Sequence, residues 1–354
     1  MKKIVLTGGG TAGHVTPNIA LLPALKEAGY EVHYIGSFEG IESRLIPDFD
    51  IPYYGISTGK FRRYFDLKNF SDPFRVIKGY QDAKKILKEL KPDVVFSKGG
   101  FVSVPVVRAA ASLKIPCIIH ESDMTPGLAN KLCIPIAHKV CCNFPETLKN
   151  LPAGKAILTG TPIRSELTKG NRIAALEQCG FTANKPVIMV VGGSQGSACI
   201  NEVVRESLPK LLDDFQIIHL CGKDKVDNLM LSIPGYKQFE YVKTELKDFF
   251  ALADLVVSRA GANAICELLA LKKPNILIPL SAGSRGDQIL NAASFEEQGF
   301  SIVIKEEALD FFCLVDKIKE LYQNKSQYIE KMNESGQTDA IPKIMDLINE
   351  AAAK

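Results

Sequence analysis

The chain has 354 residues, 46% of them hydrophobic and 23% charged, and a net charge of +3. That length asks for two cores rather than one, and the composition is that of a globular protein. No stretch approaches the roughly 20 apolar residues of a membrane-spanning helix, which excludes an integral helical membrane protein.

In chain order, the first predicted element is the apolar strand Ile4-Val5-Leu6. No signal-peptide pattern precedes it, and a cytosolic protein is expected. The strand runs into Gly8-Gly9-Gly10-Thr11-Ala12-Gly13-His14, and Pro17 suits the first turn of a following helix. Gly8-x-Gly10-x-x-Gly13 fits a dinucleotide-binding fingerprint, which is weak evidence alone. The nicotinamide reading needs an acid at the end of the second strand. That strand, Val32-His33-Tyr34-Ile35, ends in Gly36-Ser37, and Glu39 comes late in a loop, so the reading loses ground. No glycine loop ends in Gly-Lys-Ser/Thr, so a Walker loop is excluded. Asp48-Phe49-Asp50 between Pro47 and Pro52 reads as a turn rather than a metal motif.

Residues 60 to 80 interleave Phe61, Tyr64, Phe65, Phe70 and Phe74 with Lys60, Arg62, Arg63, Lys68, Arg75 and Lys78. Such a segment reaches anionic headgroups and buries rings at a membrane interface. The plainer alternative is a half-buried helix with a solvated basic face. No nucleic-acid-binding motif accompanies it, so no nucleic-acid partner is expected. The charge distribution agrees: residues 1–165 carry 22 basic and 14 acidic side chains, leaving 21 and 26 for the remainder. A basic first half calls for an anionic partner.

A strand at Val94-Val95-Phe96, the loop Lys98-Gly99-Gly100-Phe101-Val102-Ser103, a helical stretch to Leu113 and a strand at Pro116–Ile119 follow. Continuous apolar strands alternating with helices indicate parallel sheets buried on both faces. The scheme restarts at Lys185 with KPVIMVVGGSQGSACIN, and strands recur at Gln216–Leu220, Leu255–Val257 and Asn275–Ile278. The fold class is α/β, with two Rossmann-like domains meeting near Thr161–Arg164 and their sheets facing across a cleft. The tail from Pro342 to Lys354 is helical in pattern. Nine cysteines, none in a C-x-x-C pair, read as small buried hydrophobes, and five histidines lack metal-ligand spacing.

Three glycine loops therefore follow strands and precede helices, the third being Gly192-Gly193-Ser194-Gln195-Gly196-Ser197. Bare backbone and helix N-termini suit phosphate groups. Two loops in the first half and one in the second call for two phosphorylated ligands.

These loops, together with His120-Glu121, Pro126-Gly127-Leu128-Ala129-Asn130 and Asp287-Gln288-x-x-Asn291-Ala292, resemble the MurG family of peptidoglycan N-acetylglucosaminyltransferases. The resemblance runs from Met1 to about Ile348. It implies the GT-B fold, with the C-terminal helix crossing back to the first domain. The domains expected are then 1–163 with 342–354, and 164–341. The implied activity is an inverting transfer of GlcNAc from UDP-GlcNAc to lipid I, the polyprenyl-diphosphate-MurNAc-pentapeptide, giving lipid II at the cytoplasmic face of the plasma membrane.

By position, the resemblance implies donor contacts at Thr11, Ala12, Gly13, Asp123, Arg164, Ser194, Val242, Ala262, Asn263, Ala264, Ile265, Glu267, Gln288 and Asn291. Acceptor contacts are implied at Gly10, His14, Gly99, Gly100 and Asn130. Where the family shows His-Glu-Gln-Asn, this chain has His120-Glu121-Ser122-Asp123, and an ionised Asp only accepts hydrogen bonds.

For the base that deprotonates the acceptor hydroxyl, His14 is favoured by its near-neutral intrinsic pKa. Glu121 and Asp123 are rivals, and His14 as a mere orienting residue stays open. His120 and His219 read as core or turn histidines. Helix N-termini and Arg164 can stabilise departing UDP without a metal, so no cofactor is expected, with Mg²⁺ open as a stimulant. Two alternatives remain: a UDP-GlcNAc 2-epimerase of the same architecture, and a non-catalytic sugar-nucleotide-binding subunit.

Overall fold

The computed structural model describes residues 1–59, 68–193, 195–281, 286–337 and 340–353, with the side chains of 68–73 also outside the description. Ser194, Lys60, Phe61, Arg62, Arg63, Tyr64 and Phe65 lie outside the described residues, as do the side chains of Lys68 and Phe70. The chain divides into two compact units, Met1–Arg164 with Asp339–Lys354, and Ser165–Thr338.

The first unit is a seven-stranded sheet built from β1 (Lys3–Thr7), β2 (Glu31–Ser37), β3 (Tyr53–Ile56), β4 (Val94–Ser97), β5 (Cys117–Glu121), β6 (Lys139–Cys142) and β7 (Ala156–Leu158). The strand order is β3-β2-β1-β4-β5-β6-β7 and every pairing is parallel. Buried residues alternate between its two faces. Ile4, Leu6, Tyr34 and Phe96 pack on one side, and Val5, Ile35, Val95 and Ile119 on the other. Helices cover both faces, as a parallel sheet requires.

One covering helix comes from the far end of the chain. Ala340–Ala351 buries Ala340, Ile344, Met345, Ile348 and Ala351 in the same core as Leu21, Leu25 and Tyr30. The helical spacing of these apolar residues puts them on one stripe. Tyr30 Oη donates to Asn349 Oδ1 at 2.9 Å. The helix starts two residues before Pro342, which its first turn tolerates.

The second unit is a six-stranded parallel sheet: β8 (Val187–Val191), β9 (Gln216–Leu220), β10 (Tyr236–Phe239), β11 (Leu255–Ser258), β12 (Asn275–Leu277) and β13 (Ser301–Val303), in the order β10-β9-β8-β11-β12-β13. In each sheet the order reverses beside the first strand, between β1 and β4 and between β8 and β11. Such switch points open a crevice at the carboxyl ends of the strands, where ligands of doubly wound folds bind.

None of the nine cysteines is in a disulfide, and seven are buried. Asp50, after a short 3-10 turn at Ile46–Phe49, takes a left-handed conformation, φ 53°, so that segment is a turn. His219 is a core residue. Tyr236 Oη lies 2.8 Å from its Nδ1 and Asn201 Oδ1 lies 3.0 Å from its Nε2. Burial, then the Arg205 charge, pushes its pKa down to about 3.

The folded imidazole therefore refuses a proton that the unfolded one binds below its usual pKa of about 6.5. Its contribution to stability is complete above about pH 6.5 and is lost as pH falls toward 3, at about 1.4 kcal/mol per unit. Urea unfolding between pH 7 and pH 4 should show that slope in the wild type. His219→Gln should flatten it.

Candidate active site

The loops after β1 and β4 flank the first switch point and lean on each other through backbone. Gly100 has φ +83°, and a Cβ there would stand 2.3 Å from the Gly9 carbonyl oxygen and 3.2 Å from His14 Nδ1. Only glycine permits that approach. Phe101 lies against Gly10 from the same side. The helices Thr16–Glu27 and Ser103–Ser112 start behind the two loops.

Glu42, which the sequence reading passed over, organises loop one. It is fully buried. Its Oε2 accepts the Gly10 amide at 3.0 Å, and its Oε1 accepts the Ser37 amide at 3.1 Å and the Ser37 hydroxyl. The acid sought after the second strand thus exists, three residues beyond Glu39, and is turned inward onto protein backbone. Only its distance from the strand could have drawn notice, and a burial signal was missing because the segment Glu42–Leu45 is short and polar. The Gly10 amide is thereby engaged within the protein, while the residue itself is exposed.

Thr11 and Ala12 are exposed and Gly13 and His14 partly so. Thr11 Oγ1 and His14 Nδ1 are 2.9 Å apart. Gly99 is buried, and its amide donates to Ser97 Oγ at 3.2 Å.

Glu121 ends β5 and is 4% exposed. Its Oε1 accepts the Asp123 amide at 3.0 Å, and its Oε2 accepts the Gly127 amide at 3.0 Å and Asn130 Nδ2 at 2.9 Å. Burial raises its pKa, against the lowering effect of these hydrogen bonds. Both oxygens hold the 122–127 turn. Asn130 is also buried. Nδ2 donates to the His120 carbonyl at 3.2 Å as well as to Glu121, which ties it to the turn. Asp123, on that turn, is partly exposed. Arg164 is likewise partly exposed, at the end of the first unit.

In the second unit, a cavity of about 640 Å³ opens at the switch point between β8 and β11. Gly192, Gly193, Gln195, Gly196 and Ser197 line it together with Arg259, Ala264, Gln288 and Glu306. Gly196 has φ +69°, and a Cβ there would meet the Cys221 carbonyl oxygen at 1.8 Å. Ser197 caps the helix Ala198–Asp214, accepting the Ile200 amide, and takes a 2.7 Å hydrogen bond from Arg259. Arg259 also donates to the Ile278 carbonyl and pairs with Glu306. Burial works to raise the Glu306 pKa, but hydrogen bonds from Arg259 and Ser281 win and hold it below the usual carboxylate value. Neither Arg259 nor Glu306 was singled out from sequence, because neither sits in a glycine loop.

The helix Ala262–Ala270 points its N-terminus at this cavity through Ala264, with Asn263 and Glu267 partly exposed and Ala262 nearly buried. The Ile265 side chain is in the core and its amide donates to the Gly261 carbonyl at 3.1 Å. Gln288 reaches the cavity and its Oε1 accepts the Leu280 amide at 3.0 Å. Asn291 is fully buried, its Nδ2 donating to the Ala260 carbonyl at 3.3 Å. Asn291 thereby braces the backbone that precedes the helix. The Val242 side chain is buried.

Two family models match the chain, the glycosyltransferase family 28 N-terminal domain over residues 4–142 and the C-terminal domain of the same family over residues 187–348. Among curated proteins, the UDP-N-acetylglucosamine--N-acetylmuramyl-(pentapeptide) pyrophosphoryl-undecaprenol N-acetylglucosamine transferase of Lachnoclostridium phytofermentans is 66% identical over the whole of both chains. The protein of the same name from Lachnospira eligens is 64% identical over 99% of each. The crystal structure of Acinetobacter baumannii MurG superposes with a TM-score of 0.79 at 27% identity, covering 99% of this chain and 100% of that one. A UDP-GlcNAc 2-epimerase from Neisseria meningitidis shares the fold at TM-score 0.69 and 14% identity, covering 99% and 100%.

Gly196→Ala should destabilise the second unit by more than about 2 kcal/mol, because a methyl there collides with backbone. Gly193→Ala, whose methyl would meet nothing, should cost only the roughly 1–2 kcal/mol of a left-handed alanine. Equal midpoints for the two variants in urea would contradict the close approach.

Proposed function

Because the chain belongs to glycosyltransferase family 28, we propose that it is an inverting hexosyltransferase moving GlcNAc from UDP-GlcNAc onto the MurNAc of lipid I, forming lipid II for peptidoglycan. The observation that carries this reading is full-length 66% identity to an enzyme named for that transfer. The 2-epimerases share only architecture at 14% identity. UDP-GlcNAc labelled in the sugar, incubated with a short-chain lipid I analogue, should give labelled disaccharide lipid. Epimer formed from UDP-GlcNAc alone, without lipid product, would overturn it.

Each step needs chemistry that this chain can supply. The acceptor hydroxyl attacks the anomeric carbon as the bond from that carbon to the UDP oxygen breaks, and the bonding pair leaves with UDP. The hydroxyl proton goes to His14 in this reading. With Nδ1 protonated and donating to Thr11 Oγ1, Nε2 is the basic nitrogen. Glu121 is a positioning residue here, because its oxygens hold the 122–127 turn. The charge developing on UDP is met by the loop-three backbone, the N-termini of helices Ala198–Asp214 and Ala262–Ala270, and Arg164. Glu267 is assigned to the ribose hydroxyls and Gln288 to the sugar. No resident metal is invoked, and activity is expected to survive chelation by EDTA.

A peripheral position on an anionic membrane fits the lipid acceptor. What supports it is an exposed stretch on the helix Lys68–Leu90, where Phe74 is 75% and Ile77 57% exposed beside exposed Arg75 and Lys78. Leu128 and Leu132 are exposed on Leu128–Cys133, a helix of the same unit, with exposed Lys131 between them. Among the described residues no helix is long and apolar enough to cross a membrane.

His14→Ala should lower kcat by about 100-fold or more, the usual contribution of a general base, with UDP affinity within about threefold. A matching loss of UDP binding would remove His14 from the role. Phe74→Ser with Arg75→Glu and Lys78→Glu should reduce sedimentation with vesicles containing anionic lipid. Unchanged partitioning would refute the membrane face.

A further inference from the structure

Lys98 stands in loop two at the first switch point, yet it is 1% exposed. Lysines ordinarily keep the ammonium in water. Here Nζ meets uncharged groups at the end of β5 and after β7. They are His120 Nδ1 at 2.8 Å, Ser122 Oγ, and Thr161 Oγ1 at 3.2 Å. His120 Nε2 lies 2.9 Å from the Gly160 carbonyl, to which it donates, so Nδ1 is the acceptor and the ring is neutral. Burial, and after it the Lys98 charge, hold the His120 pKa well below its ordinary value. The backbone of Lys98 is tied to loop one as well: its amide donates to the Thr7 carbonyl at 2.9 Å. Its Cβ lies 3.3 Å from where a Gly8 Cβ would stand.

A unit positive charge is thus fixed directly behind loops one and two, away from the screening of bulk water. Through Ser122 it adjoins the turn that Glu121 holds. We propose that Lys98 is a positioning residue for the acceptor, whose buried ammonium makes the mouth of loops one and two attractive to the diphosphate of the lipid-linked substrate. The inference rests on the functional reading above, in which that diphosphate binds at these loops. Because the charge is buried, it acts on binding through the field and not through contact, and its effect falls on the acceptor alone.

Steady-state kinetics on the full chain test this, with sugar-labelled UDP-GlcNAc and a short-chain lipid I analogue. Product from the wild type establishes the functional reading, and its absence overturns that reading separately. Lys98→Met keeps the stem and deletes the charge. It should raise the acceptor KM by about tenfold or more, some 1.4 kcal/mol, with kcat and donor KM within about threefold. Ser122→Ala with Thr161→Ala keeps the ammonium and removes two of its braces, and acceptor KM should stay within about threefold of wild type. Equal rises in acceptor KM for the two proteins, or a donor KM that rises with it in Lys98→Met, would reduce Lys98 to scaffold and overturn the proposal. Should Lys98→Met not fold, the double variant decides alone: an acceptor KM near wild type supports the charge, and a tenfold rise refutes it.

Discussion

The approach of two backbones at the first switch point constrains much of the first unit. The Gly9 carbonyl and the Gly100 α-carbon are closer than any side chain would allow, so the loops after β1 and β4 are fixed against each other. That contact places the His14 ring against Gly100 and sets the N-termini of two helices behind the loops. A parallel sheet supplies the crevice, but the missing Cβ decides how narrow it is. The second unit repeats the device with other partners, Gly196 under the Cys221 carbonyl.

Around these loops lies a layer of buried ionisable groups that touch backbone. Glu42 holds Gly10 and Ser37, Glu121 holds the turn before Asn130, and Arg259 with Glu306 ties Ser197, Ile278 and Ser281 together. Burying a carboxylate is unfavourable unless donors replace its water, and here the donors are the amides of the loops themselves. The result is pre-organisation: loop amides and turn positions are set before a ligand arrives, which lowers the ordering entropy of binding.

The architecture was legible in the chain because its strands are continuous apolar runs, each followed by glycines. Val94–Ser97, Gln216–Leu220 and Leu255–Ser258 fall within a residue of their sequence reading. His120 and His219 were also readable, since an imidazole inside an apolar strand has nowhere to go but the core. The site was less legible, for a physical reason. A sequence motif marks positions that matter without saying whether they touch ligand or hold what does. That Asn130 and Asn291 are buried and that Gly10 gives its amide to Glu42 is revealed only by burial and hydrogen-bond partners. Glu42 and Lys98 were overlooked for the converse reason: a charged residue in a loop reads as solvated, and nothing local announces that it is folded inward.

The helix Ala340–Ala351 completes the hydrophobic cluster that begins with Ile4 and Leu21. Its contacts span almost the whole chain, Tyr30 reaching Asn349. During synthesis the first unit therefore emerges from the ribosome lacking one wall, with Leu21, Leu25 and Tyr30 uncovered while some three hundred further residues are added. The second unit, continuous in sequence, can close before it. Sealing of the earlier-made half waits on the helix Ala340–Ala351, and the loop closed at that moment spans more than three hundred residues.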